Sequence, residues 1–123
     1  VRFESRKHFY NACARLMRLA LIDHARAGIA QKRGSRQTCQ ALHEDLAWID
    51  PSGPQMLDLD RALEELKRLD ADQTGMFEAH YLLGCSVEEI AEIFATSKSS
   101  VDRKIRIARA WLYQRINPAP QPS

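Results

Sequence analysis

Residues 86–112 read SVEEIAEIFATSKSSVDRKIRIARAWL, and the fold follows from this stretch. Ser86 is a natural N-cap, and Glu89 three residues on completes a capping box, so a helix starts here. Val87, Ile90, Ala91 and Phe94 recur at helical spacing and give that helix one apolar face. Residues 95–98, ATSK, interrupt the pattern. Ser97 can then cap a second helix, in which Val101, Ile105, Ala108 and Leu112 recur at 4, 7 and 11 and define an inner face. At about 100° per residue, Ser99, Arg103 and Arg106 fall opposite that stripe, with Asp102 beside them. Small Ala91 lets the two helices approach closely. Two short helices, a four-residue turn and a basic outer face form a helix-turn-helix, the arrangement that lays a helix in a DNA major groove. The alternative is a surface hairpin whose polar face is merely solvated, and charge distribution separates the two.

The 123 residues carry a net charge of only +2, yet the charges are segregated. Residues 1–36 hold a net +7, residues 37–97 a net −10 and residues 98–123 a net +5. Two basic ends around an acidic middle suggest two separate polyanion contacts, with the middle facing protein or solvent. The competing explanation is that the opposite charges pair on folding.

A hydrophobic content of 45% and a charged content of 28% belong to a water-soluble globular chain. Its length allows one ordinary domain or two very small ones. No apolar run approaches the roughly 20 residues that span a bilayer, and no secretory signal is visible. The chain opens on Val1 rather than Met, which suggests a fragment. Cys13, Cys39 and Cys85 are far apart and form no CxxC pair, so zinc is not expected. Cys13 and Cys85 occupy apolar-periodic positions and read as core thiols, which suits a reducing, cytoplasmic setting. His8, His24, His43 and His80 have no ligand spacing, and HEDL at 43–46 lacks the second histidine of HExxH. No phosphate loop, GxSxG or other catalytic constellation occurs. The expectation is a non-enzyme without cofactor, metal site, membrane contact or small-molecule substrate.

Strand signals are almost absent, and an all-α fold is expected. A first helix is expected over residues 7–29. In it Phe9, Ala12, Cys13, Leu16, Leu19, Ala20 and Asp23 lie near one side, and Arg15, Arg18 and Arg26 are spread over the remainder. A basic polar stretch follows. The DPSGP run at 50–54 reads as a turn or linker between two helical modules. A helix over residues 58–69 has an apolar stripe of Leu59, Ala62, Leu63, Leu66 and Leu69, with Asp58 as its cap. Asp70 with Gln73 caps another helix, expected to run to about Leu83, and Gly84 stops it. The C-terminal module thus has four helices and no wing, with Leu63, Leu66, Phe77, Ile90, Phe94, Val101, Ile105 and Leu112 as its core. Pro118, Pro120 and Pro122 mark an extended, disordered tail.

LGCSVEEIAEIFATSKSSVDRKIRIARAWL (83–112) resembles the fourth conserved region of extracytoplasmic-function (ECF) sigma factors of bacterial RNA polymerase. LKRLDADQTGMFEAHYLLG (66–84) resembles the helix pair leading into it. HFYNACARLMRLALIDHARAGIAQKRG (8–34) resembles the end of the second conserved region, above all in LMR (16–18), IDHAR (22–26) and QKRG (31–34), with the wording of the ECF-like subgroup. The resemblance implies that residues 1–37 end a region-2-like module, 38–57 link, 58–116 form a region-4-like helix-turn-helix domain and 117–123 trail.

It implies transcription initiation through promoter recognition, with residues 86–112 reading the −35 element. Ser99, Arg103 and Arg106 would meet base edges or nearby phosphates. Lys98, Lys104 and Arg109 would meet phosphates, and Ser100 lies at the same helix start, where free N–H groups can hold a phosphate. Arg26, Lys32 and Arg33 would lie near the −10 element. Phe3, Phe9 and Tyr10 are candidates for stacking on unpaired bases, although Phe9 fits a core stripe better. The implied partners are promoter DNA, core RNA polymerase and an anti-sigma factor.

The chain departs from the family's usual wording at several positions. Ala95 stands where the turn usually has Gly, so a left-handed residue there would be strained. Gly28 and Ile29 stand where the family tends to be basic, His80 where Arg is common, and Asp102 where Lys is common. The clamp-binding first half of region 2 is not among these residues, so as they stand they should bind core polymerase poorly. The rivals are a stand-alone, dimeric helix-turn-helix regulator and a sigma-like protein that binds an anti-sigma partner without reading DNA.

Overall fold

The computed structural model describes residues 5–30, 49 and 53–117. Among them are five α-helices and no strand, in the order α1 (Arg6–Ala30), α2 (Pro54–Leu69), α3 (Ala71–Tyr81), α4 (Val87–Ile93) and α5 (Lys98–Ile116). The all-α class read from the sequence holds.

Start and stop signals account for most of the boundaries. Ser86 Oγ accepts the Glu89 N–H at 3.1 Å, and the Ser86 N–H donates to Glu89 Oε1 at 2.8 Å, so both halves of the capping box form. Ser97 Oγ accepts the Ser100 N–H at 3.1 Å and starts α5. Asp70 ends α2 and begins α3, with Oδ1 accepting the Gln73 N–H at 3.0 Å. That hydrogen bond is the chief reason its carboxyl lies below the usual range. Gly84, at φ +75°, turns the chain out of α3, and the Cys85 N–H reaches back to the Ala79 carbonyl at 2.9 Å. Ala95 stands at φ +53° between α4 and α5, the left-handed conformation that its place in the turn demands.

One boundary differs from expectation. The second helix starts at Pro54, not Asp58, within the stretch read as linker. Proline's fixed φ suits the first helical position, and Gly53 precedes it without a side-chain cap. Asp58 sits one turn in, 3.6 Å from Arg61.

The core unites α2, α3, α4 and α5. Leu59, Leu63, Phe77, Ile90 and Val101 are wholly buried, with Leu66, Ile105 and Leu112 beside them. Of the expected core only Phe94 is half-buried, because it sits at the turn. Fully burying one such side chain contributes roughly 1.5–3 kcal/mol before conformational entropy is subtracted. α5 closes the bundle over α2, where Arg115 meets the Glu65 carboxylate and lies over the Trp111 ring, 5.1 Å from its centroid.

α1 packs on α2 and α3 by a face different from its most apolar one. Ala14, Arg18, Ile22 and Ala25 are buried, and Ala25 belongs to the same core cluster as Ile49, Leu63 and Val101. Phe9, Leu16 and Leu19 are exposed, so the expectation that Phe9 packs in a core stripe is corrected. Cys13, on the same outward side, is half-buried, whereas Cys85 is buried as expected. The buried face is selected by charge and closeness. Gly75 of α3 leaves room where an added Cβ would come within 3.0 Å of Asn11 Oδ1 and of Phe94. Arg18 finds three carboxylates there. Part of the segregated charge therefore does pair on folding. Residues 118–123 lie outside the described residues.

Candidate nucleic-acid interface

α5 is amphipathic. Val101, Ile105, Ala108 and Leu112 are buried, and Ser99, Arg103 and Arg106 are exposed on the opposite side. The helix-turn-helix thus offers three short or basic side chains to solvent, backed by a packed stripe that fixes their direction.

The seven expected α5 contacts divide into groups. Arg103 is exposed and has no hydrogen bond or ion pair among the described residues. Arg106 is exposed and donates to Asp102 Oδ2 at 3.0 Å, one turn back. An exposed pair of this kind is weak, so the guanidinium can exchange it for a stronger acceptor. Lys98 lies at the turn, its Nζ 3.2 Å from Glu88 of α4. Glu88 sits below the usual carboxyl range, first through a backbone N–H and then through Lys98. Ser99 is exposed, and Ser100 is half-buried with its N–H already used in the cap.

Lys104 and Arg109 are half-exposed and also have partners within the protein. Lys104 Nζ is 3.4 Å from Asp70 Oδ2, and the Lys104 carbonyl accepts from Gln73 Nε2 at 3.0 Å. Arg109 donates to Tyr81 Oη at 2.7 Å. Both flank the inner stripe of α5, at the angle where neighbouring helices meet it. They anchor α5 to α3.

The carboxylates of α4 are occupied as well. Glu89 caps its own helix, Glu88 meets Lys98, and Glu92 lies 3.7 Å from Arg6. Lys7 lies 2.8 Å from Asp72 and sits over the Phe94 ring, 5.4 Å from its centroid. The start of α1 thus borders the helix-turn-helix, a neighbourhood that sequence reasoning did not anticipate.

Of the residues expected near the −10 element, Arg26 is exposed near the end of α1, while Lys32 and Arg33 lie outside the described residues. Phe9 and Tyr10 stack edge to face, 5.5 Å between centroids. Phe3 is outside the described residues.

Arg18 was missed as an organising residue. Its Nη1 reaches Asp60 Oδ1 at 2.7 Å and the Asp60 carbonyl at 3.2 Å, and its Nη2 reaches Glu64 Oε2 at 2.5 Å. Its Nε lies 2.7 Å from Glu78 Oε2, a charge contact outside hydrogen-bond geometry. Burial works against the Arg18 charge, but the three carboxylates outweigh it and raise its pKa. Burial pushes the Glu78 carboxyl above its usual value despite Arg18, whereas the hydrogen bond from Arg18 pulls Glu64 below its own. The available signal was the second helical stripe, Ala14, Arg18, Ile22 and Ala25.

Among the described residues no group of His, Cys, Asp and Glu could hold a metal ion, and no helix is long and apolar enough to cross a membrane. No curated protein and no solved structure shows significant similarity to the chain. The family model for ECF sigma factors matches residues 1–118, nearly the whole sequence. A sigma factor is a subunit of RNA polymerase in transcription initiation, a role that suits the helix-turn-helix of α4 and α5. The chain belongs to the ECF sigma factor family.

Proposed function

We propose that this chain recognises a promoter, with α5 reading the −35 element through the major groove. The supporting observation is the α5 face itself, with Ser99, Arg103 and Arg106 exposed together opposite a fully packed stripe. Arg103, free of protein partners among the described residues, is the primary base reader, and an arginine held against guanine contributes ~1–3 kcal/mol of discrimination. Arg106 joins it by leaving Asp102. Lys98 meets a phosphate at the turn. Lys104 and Arg109 act indirectly, by fixing the angle of α5. Arg26, with Lys32 and Arg33, contacts the −10 region. Promoter DNA and core RNA polymerase are the partners, with an anti-sigma factor as the regulator, and no small-molecule substrate is involved.

Selection of bound duplexes from a random pool at two salt concentrations tests this. Wild type should enrich an asymmetric motif, and Arg103→Ala should relax it at one or two positions. Lys98→Ala should weaken all sequences alike and flatten the salt dependence. A palindromic motif would instead indicate a stand-alone dimeric regulator. No enrichment at either salt would favour a sigma-like protein that binds only an anti-sigma partner.

A further inference from the structure

We infer that Ile107 is a specificity residue of α5, held against the C5 methyl group of a thymine that lies within about two base pairs of the guanine read by Arg103. The inference deepens the promoter reading above and rests on it. Ile107 is 54% exposed in the middle of α5. Among the described residues it belongs neither to the core cluster nor to the half-buried side chains packed against that cluster. A single exposed aliphatic residue is ordinary on a protein surface. The position of this one on the helix sets it apart.

At about 100° per residue, Ile107 stands roughly 40° around α5 from Arg103 and one turn beyond it, so the two side chains are neighbours. Ser99, Arg103, Arg106, Ile107, Ala110 and Gln114 are all exposed on the side away from the packed stripe. That face is polar or small except at Ile107. Ser99 and Ala110 are short enough to let a duplex come close, which presses a longer side chain between them into the groove. Helix preference gives no reason for isoleucine here, because a β-branched residue on an exposed helix face is less favourable than alanine, leucine or lysine.

The chemistry of the groove names the ligand. Base edges in the major groove present donors and acceptors, and the thymine C5 methyl is the aliphatic group among them. An isoleucine brought there loses water and offers no hydrogen bond. Contact with a methyl group is therefore favoured, while a cytosine amino group or a guanine oxygen in its place is left unpaired. The register follows from the rise of the helix. Four residues advance about 6 Å, close to two base-pair steps of about 3.4 Å. Arg103 on guanine and Ile107 on thymine thus address adjacent parts of one short element.

The test uses the full chain and the duplex enriched in the selection described above. Arg103→Ala identifies the guanine. Deoxyuridine then replaces each thymine within about two base pairs of it, which removes one methyl group and keeps the base pairing. Wild type should lose about fourfold in affinity at one such thymine, the ratio that burial of one methylene-sized group supplies. Ile107→Ala should bind the thymine duplex at least about fourfold more weakly than wild type and lose nothing further with deoxyuridine. Its salt dependence should match that of wild type, because no charge has changed. Alanine at this exposed position is the better helix former, so the variant should keep its helical circular dichroism. Ile107→Val should retain most of the methyl effect. A motif without thymine in that window, or the same loss with deoxyuridine in wild type and Ile107→Ala, overturns the inference and leaves the promoter reading standing. A wild-type dimer that Ile107→Ala converts to a monomer in sedimentation makes Ile107 a subunit contact and also overturns it. Enrichment of no motif overturns the promoter reading and the inference with it.

Discussion

Replacing Ala95 by glycine should stabilise the protein, and the size of the gain follows from its geometry. Ala95 joins α4 to α5 at φ +53°, and it is exposed, so its methyl group contributes no packing. An L-residue in the left-handed region carries about 1–2 kcal/mol of steric cost, which glycine lacks. Against this, glycine loses roughly 0.5–1 kcal/mol more backbone entropy on folding. The turn's hydrogen bonds, from Ala95 N–H to Glu92 and from Thr96 N–H to Ala91, survive the change. The balance is a gain of about 0.5–1 kcal/mol, worth ~2–6 °C in melting temperature for a domain of this size. Thermal melting followed by circular dichroism measures it, and urea titration should show a higher midpoint at an unchanged slope. A lower melting temperature in Ala95→Gly would refute the reasoning, because it would mean that the turn is not strained by its side chain.

Other outcomes follow from the same geometry. Ser86→Ala removes the acceptor of the capping box and should cost about 1 kcal/mol, read as a lower urea midpoint. Phe77→Ala empties the centre of the bundle and should cost ~3–5 kcal/mol, enough to leave much of the population unfolded at growth temperature in a denaturant or proteolysis assay. The Asp70 carboxyl is lowered in the folded protein, so its contribution is present above its ordinary pKa of 3.8 and is lost as pH falls through its folded value. Asp70→Asn keeps a capping acceptor and should therefore show a shallower loss of stability below pH 3.8 than wild type in an acid titration.

The helix-turn-helix could be read almost entirely from sequence because its determinants are local. Ser86, Glu89, Ser97, Asp70 and Gly84 act on residues within a turn or so of themselves, and the apolar stripe of α5 is periodic over four positions. The orientation of α1 could not be read this way. By hydrophobicity Phe9, Leu16 and Leu19 should face inward, yet the helix docks through Ala14, Arg18, Ile22 and Ala25. That choice depends on Asp60, Glu64 and Glu78, which lie more than 40 residues away, and on the gap at Gly75. Lys104 and Arg109 show the same limit at the site. Their charge makes them candidates for phosphate contacts, and the fold adds Asp70 and Tyr81 as neighbours that their place in the sequence does not reveal. The start of α2 was misplaced because Pro54 signals a turn as readily as a first helical turn.

α4 is only seven residues long. An isolated helix of that length has almost no population in water, since nucleation costs more than two turns of hydrogen bonds return. α4 therefore exists only while α3 and α5 hold it, and its amide protons should exchange with deuterium together with those of its neighbours. If α5 binds DNA as proposed, that binding acts on the whole helical unit. By mass action it should slow exchange throughout α3, α4 and α5 and raise their common unfolding free energy, so a groove contact would be felt in amides that never approach the duplex.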